Sequence, residues 1–283
     1  MNVLEVKNLC KKYPSFTLNN VSFTVPEGSV TGFIGRNGAG KSTTLKSILG
    51  LVHPDSGEAV FFGKNFTEHE REIKQEIGYV SGGSFFYPNK PIKAVTAVTR
   101  RFYGNWDDNL FKNYMEKFAL DENNTQSQLS EGMKIKYSLT LALSHHAKLL
   151  ILDEPTSGLD PISRDELLDI FIELSREGTT ILFSTHITSD LERSADGIIY
   201  IRGGRIADQD SLNSFTDRYK AVKLTEAEFG SADKALLIGC KPAKIGYTAI
   251  ALSENADKLP GELSPADLET IMIHLEKVEQ PHS

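Results

Sequence analysis

The chain has 283 residues, of which 40% are hydrophobic and 24% charged, with a formal net charge of −7. That is ordinary for a globular protein of about two domains, and the acidic balance argues against nucleic acid as the main partner, which would need a basic stripe. No apolar run approaches the ~18 residues needed to cross a bilayer, MNVLEVKNLCKKY lacks a signal-peptide pattern, and two isolated cysteines, Cys10 and Cys240, fit a reducing cytoplasm better than a disulfide scaffold.

Residues 1–32 alternate short apolar runs, Val3-Leu4-Val6 and Val21-Phe23-Val25, with turn signals at Tyr13-Pro14-Ser15 and Pro26-Glu27-Gly28. This pattern predicts antiparallel strands. Tyr13, between a basic pair and a proline, could offer its ring face to a purine, or could be a plain strand-end aromatic.

The next stretch, TGFIGRNGAGKSTTLKSILG, is the most specific in the chain. Ser29 to Ile34 reads as an apolar strand and Ser42 to Leu49 as a helix, while Gly35, Gly40, Lys41 and Ser42 fit Gly-x4-Gly-Lys-[Ser/Thr]. Such a loop turns its N–H groups onto phosphate oxygens, and the helix N-terminus adds partial positive charge. Gly35, Asn37, Gly38, Gly40, Lys41, Ser42 and Thr43 are then the phosphate cradle of a nucleoside triphosphate. In that role Lys41 reaches the β- and γ-phosphates, and the Ser42 hydroxyl ligates Mg²⁺.

HPDSG at 53–57 reads as a turn and GEAVFFGKNF as returning strand, followed by a charged helix in EHEREIKQE with a solvated face. Ile77 to Val80 is a short strand running into Ser81-Gly82-Gly83-Ser84-Phe85-Phe86-Tyr87-Pro88. Three consecutive aromatics cannot all face one core, so one or two are buried or the group offers a partner surface. From Ile92 to Leu120 the pattern is helical, with Leu110, Phe111, Tyr114, Met115 and Phe118 as a core stripe and Asn105 or Asp107 as cap. Leu129-Ser130-Glu131-Gly132-Met133 opens another helix.

KLLIL at 148–152 has the continuous apolar character of a buried parallel strand and ends in Asp153-Glu154. After the turn at 155–160, Pro161 starts a helix with an apolar face at Leu167, Leu168, Ile170, Phe171 and Leu174 and a stop at Gly178. TTILFS at 179–184 is the next buried strand, Thr185-His186 follow it, and Ile198 to Ile206 forms a hairpin around Gly203-Gly204. Alternating strands and helices around a phosphate loop make an α/β fold with a parallel-sheet core. Beyond about 213 the character changes: strands at Ala221–Leu224, Ala235–Cys240 and Tyr247–Leu252 precede a helix with Ser264 as cap, Pro265 at its first position, and a stripe of Leu268, Ile271, Met272 and Leu275.

The phosphate loop at 35–43, LSEGM at 129–133, LLILDEP at 149–155, SGLD at 157–160 and STH at 184–186, in that order, resemble the ATP-binding subunits of ABC transporters over residues 1–212. FYGNWDDNLF, LSEGMK and DEPTSGLDP look like the ABC-2 export branch, whose nearest likenesses are bacterial antibiotic and peptide exporters. The resemblance implies a P-loop NTPase core with an antiparallel β subdomain and a helical signature subdomain at about 84–145, leaving 213–283 as a small C-terminal α+β appendage. It implies ATP and Mg²⁺ as cofactors: Asp153 holds the metal with Ser42, Glu154 polarises the attacking water, and His186 bonds the γ-phosphate. Ser130 and Gly132 would contact the γ-phosphate bound to a second subunit, identical or paralogous, and Asp160 would lie at that seam or simply cap its helix.

Separate transmembrane permease subunits are implied as partners, placing the chain on the inner face of the cell membrane. Two departures from the family pattern matter. Glu131 and Met133 replace a glycine and a glutamine in LSGGQ, and Gly82 stands where a glutamine is usual. A carboxylate at 131 is tolerable only if it points away or meets a cation, and sensing of the permease could pass to Phe85, Phe86 and Tyr87. A soluble ABC-type ATPase acting on nucleic acid or translation fits less well, because the chain between Lys41 and Ser130 is too short for a long coiled-coil insertion. A weakly hydrolysing, ATP-driven assembly or sensor subunit is opposed by Glu154, although Gly82 and Glu131 leave room for it.

Overall fold

The structure, a computed structural model, describes residues 1–81 and 87–278. Contacts divide the chain into two compact units, Met1–Gln209 and Asp210–Ser283.

The first unit opens with β1 (Asn2–Tyr13) and β2 (Phe16–Pro26), an antiparallel pair, then β3 (Val30–Ile34), α1 (Lys41–Ile48), β4 (Ser56–Phe61) and β5 (Lys64–Asn65). The strands β2-β1-β4-β5 form one sheet, whose alternating residues Leu4, Val6, Val21, Phe23 and Val25 enter the core that also receives Phe33 from β3. Next come α2 (Phe66–Gln75), β6 (Ile77–Ser81), α3 (Ile92–Thr99), α4 (Asp108–Lys117) and α5 (Glu131–Leu143). The segment expected to be a solvated charged helix is instead amphipathic, because α2 starts earlier and buries Phe66 and Ile73. Asp107 caps α4 by accepting from the Asn109 and Leu110 amides, and Phe111, Met115 and Phe118 of the expected stripe are buried.

The remaining elements of this unit are β7 (Leu149–Asp153), α6 (Pro161–Arg176), β8 (Thr180–Thr185), α7 (Thr188–Ser194), β9 (Gly197–Arg202) and β10 (Arg205–Ser211). The second sheet runs β10-β9-β3-β8-β7-β6, and its β9-β3-β8-β7-β6 strands are parallel. Every residue of β3, β7 and β8 is buried, as a strand covered on both faces requires. Their apolar runs therefore have no polar side to alternate with. Register places Ile34 beside Thr185 and Asp153 beside Ser184, so the carboxyl ends of three adjacent strands open at one edge of the sheet. Ligands bind at such an edge in α/β sheets.

The second unit contains α8 (Leu212–Asp217), β11 (Tyr219–Leu224), α9 (Glu226–Ser231), β12 (Ile238–Pro242), β13 (Tyr247–Leu252), β14 (Glu262–Pro265) and α10 (Leu268–Leu275). Its antiparallel sheet runs β12-β13-β11-β14, and Val222, Leu224, Ala249 and Ala251 form a core of their own with Leu259. Two expectations change here. Ala235 lies in a short 3-10 turn, so the strand begins only at Ile238. Ser264 and Pro265 do not cap the last helix: they end β14, paired with Ala221 and Lys220, and the cap is Asp267, which accepts from the Thr270 amide. Proline is admissible there because β14 is an edge strand.

Candidate active site

The loop after β3 carries the site's cationic half. Gly40 sits at φ 114°, where a β-carbon would meet Leu18 Cδ2 at 2.6 Å and Phe16 Cζ at 2.8 Å, so only glycine fits. Gly40 is also the N-cap of α1, and it offers no side chain to the helix amides; the first turn holds no acidic residue. Several other helix starts are served by side chains, such as Asp107, Ser130, Asp160 and Asp267, although α3 and α7 also begin without one. The first amides of α1 therefore have no capping side-chain oxygen, an arrangement that suits an anionic ligand. Lys41, 5% exposed, donates from Nζ to the Gly35 carbonyl at 2.7 Å and lies 3.0 Å from Glu154 Oε1. An ammonium held among oxygens in this way has the charge and donors that suit a phosphate oxygen.

The acidic half comes from β7. Asp153 Oδ1 accepts from Ser42 Oγ at 2.9 Å and from Ser184 Oγ at 2.7 Å. Ser184 Oγ also accepts from the Glu154 amide at 2.9 Å, so one β8 hydroxyl orients both carboxylate residues. Glu154 leaves the strand at φ 51°, an uncommon conformation for a residue with a β-carbon. That turn sends its carboxylate to Lys41 on one side and to His186 on the other, with Nδ1 to Oε2 at 2.8 Å. Ser42 Oγ and Asp153 Oδ1 are hard oxygens set close together, the donor type that Mg²⁺ takes alongside phosphate oxygens.

A cavity of about 410 Å³ spans the two halves, lined by Phe16, Asn37, Lys41, Ser42, Glu154 and His186 among others. Gly38, Gly40 and Thr43 of the expected cradle line it as well. Gly35 stands behind it, under the Lys41 ammonium, where a β-carbon would strike the Ile201 carbonyl at 2.3 Å. Tyr13 does not line this cavity. The aromatic wall is Phe16, directly across the hairpin from Tyr13 in register, while the Tyr13 ring faces the Lys11 ammonium at 5.8 Å. Ser157 of the SGLD stretch also lines the cavity, and like Phe16 and Ser184 it has no site role that the sequence alone assigns. Ser184 lay in plain view in the STH triplet, but its role depends on β7 and β8 being neighbours.

Ser130 and Gly132 do not line the cavity. Ser130 Oγ caps α5 through the Met133 amide at 3.2 Å, and Gly132 faces Ser163 and Leu159. Glu131 meets a cation, Lys134 Nζ at 2.6 Å. Asp160 caps α6, and its bonds to the Ser163 hydroxyl and the Ser163 and Ile162 amides hold its pKa below the usual carboxylate range. Gly82, Phe85 and Phe86 lie outside the described residues; Tyr87 is exposed.

Residues 18–157 match the family model described as ABC transporter. The bacitracin transport ATP-binding protein BcrA of Bacillus licheniformis is 32% identical over 240 residues, covering 83% of this chain and 78% of that protein. The lantibiotic transport ATP-binding protein SrtF of Streptococcus pyogenes is 38% identical over 207 residues, covering 72% and 89%. The ABC transporter ATP-binding protein YtrB of Bacillus subtilis is 27% identical over 283 residues, covering 98% and 96%. Among solved structures, an ATP-binding subunit of an ABC transporter superposes with a TM-score of 0.67 at 29% identity, covering 75% of this chain and 91% of that one.

Proposed function

The chain belongs to the ABC transporter ATP-binding family, and from that membership we propose that it is the ATP-hydrolysing subunit of a bacterial exporter. The observation that carries the site assignment is the meeting of Lys41, Glu154 and His186 beside the Ser42–Asp153 pair, at the open edge of the parallel sheet. Phosphoryl transfer asks for positioning and charge neutralisation more than covalent chemistry. The loop amides and Lys41 hold the triphosphate, and in taking a phosphate oxygen Lys41 releases Glu154 Oε1. Glu154 then orients the attacking water, with His186 fixing its other oxygen. Ser42 and Asp153 would hold Mg²⁺, which supplies charge neutralisation on the β- and γ-phosphates.

Ser130 and Gly132, away from this cavity, are offered to the nucleotide of a second copy or a paralogue, so that two chains complete two sites. The transport ATP-binding names of the relatives favour separate permease subunits at the membrane as the part that carries the cargo; among the described residues no helix is long and apolar enough to cross a membrane. The bacitracin and lantibiotic transport names of the relatives favour a peptide antibiotic as cargo. Residues 213–283 form a small accessory α+β domain beside the ATPase domain.

Replacing Glu154 by Gln is expected to lower Mg²⁺-dependent ATPase activity by about a hundredfold or more, with ATP binding retained. In light scattering the same variant with ATP should form a dimer. Full activity in Glu154→Gln would remove Glu154 as the base, and a monomer with bound ATP would remove the shared site.

A further inference from the structure

Asp190 lies on α7, four residues beyond His186, and is 0% exposed. Burial pushes its pKa up, and an ionised carboxylate at such depth is costly unless its oxygens are bonded. Its Oδ2 accepts from Thr156 Oγ1 at 2.6 Å and from Thr185 Oγ1 at 3.3 Å. Arg164 Nε, from the first turn of α6, supplies the counter-charge 3.8 Å from Oδ1, although among the described residues neither of these two atoms makes a hydrogen bond. Thr185 Oγ1 in turn accepts from the Ile187 amide at 3.0 Å.

These contacts close a ring. Glu154 leads in two residues to Thr156, which is bonded to Asp190; Asp190 is bonded to Thr185, which precedes His186; and His186 Nδ1 returns to Glu154 Oε2 at 2.8 Å. We propose that Asp190 is a positioning residue for ATP hydrolysis, whose carboxylate ties the loop after β7 to the loop after β8 and so holds Glu154 and His186 at hydrogen-bond distance.

An apolar side chain would fill this space at lower cost, since a buried charge pair adds little net stability. What the carboxylate adds is direction: charge-assisted bonds to two hydroxyls on two different loops. The need is visible at Glu154, whose φ of 51° persists only where the surroundings over-determine it. The Ser184 bonds fix its amide, and the Asp190 ring fixes the chain beyond it.

This role rests on the ATPase reading above, and the test separates the two. Steady-state ATPase kinetics are measured on the full chain for wild type, Asp190→Ala, Asp190→Asn and Thr156→Val, the last two keeping shape if alanine fails to fold. Because small misplacements near the chemistry are expensive, kcat should fall by about a hundredfold in Asp190→Ala and by about tenfold in the gentler variants. KM should stay within about twofold, since the phosphate loop is untouched. Amide exchange at Glu154 and Ile187 should accelerate in all three variants while that of α1 does not, a readout that needs no turnover. If kcat is unchanged, if KM alone rises, or if exchange at these two amides keeps its wild-type rate, Asp190 is only a buried structural group. If wild type itself hydrolyses no ATP, the function proposed above falls first, and with it any catalytic role for Asp190.

Discussion

At the residue scale, the site is a set of oxygens and nitrogens whose partners come from other strands. Ser184 is the clearest case. Its buried hydroxyl donates to Asp153 Oδ1 and accepts from the Glu154 amide, so one atom aligns both acidic residues at the end of β7. Ser184→Ala should cost about 1–3 kcal/mol in denaturant unfolding, the range for losing one partner of buried polar groups. It should also lower kcat by about tenfold or more, as a supporting group that keeps active residues in geometry does. Wild-type kcat in a destabilised variant would show that the strand ends hold Asp153 and Glu154 without it. Glu131 illustrates the opposite case: a departure from the family wording that the structure absorbs locally, by pairing with Lys134 three residues on.

At the scale of elements, helix starts separate two uses of the same backbone chemistry. Most helix N-termini are closed by a side chain of the chain itself, whereas α1 begins at Gly40 with no capping side chain, as a helix start that receives an anion does. The last helix tests how far local signals reach. Ser264-Pro265 is a plausible capping pair by composition, but β14 takes both residues into pairing with β11, and Asp267 becomes the cap. Asp267→Ala should therefore cost about 1 kcal/mol, while Ser264→Ala should stay within about 0.5 kcal/mol, as an ordinary surface change does. Chemical denaturation of the two variants decides between the caps; the reverse order of effects would restore Ser264. The same tertiary influence appears in α2, where Phe66 and Ile73 turn a charged segment into a half-buried one.

At the scale of the whole molecule, each unit owns a core: the first is centred on the β1–β2 and β3 residues Leu4, Val25 and Phe33, the second on Val222, Ala249 and Ala251. A ligand that binds only the first unit should stabilise only that unit, by about 2.7 kcal/mol at a hundred times Kd. Calorimetry of Glu154→Gln should accordingly show two transitions, with MgATP raising the one that belongs to residues 1–209. A single transition that moves as a whole would mean that the units unfold together.

The glycine-rich loop at 35–43, the two buried strands read at 148–152 and 179–184, each within one residue of its place in the fold, and the order of the motifs were determined by the sequence alone. The reason is physical: glycine conformations, helix caps and runs of apolar side chains are properties of residues close in the chain. Which aromatic faces the nucleotide cavity, that Ser184 serves both carboxylates, that Asp190 ties Thr156 to Thr185, and that Asp267 caps the last helix were decided only by the tertiary structure. Each of these depends on which strands lie side by side or on which competing pairing takes a residue first, and strand neighbours are not written in any local stretch of the chain.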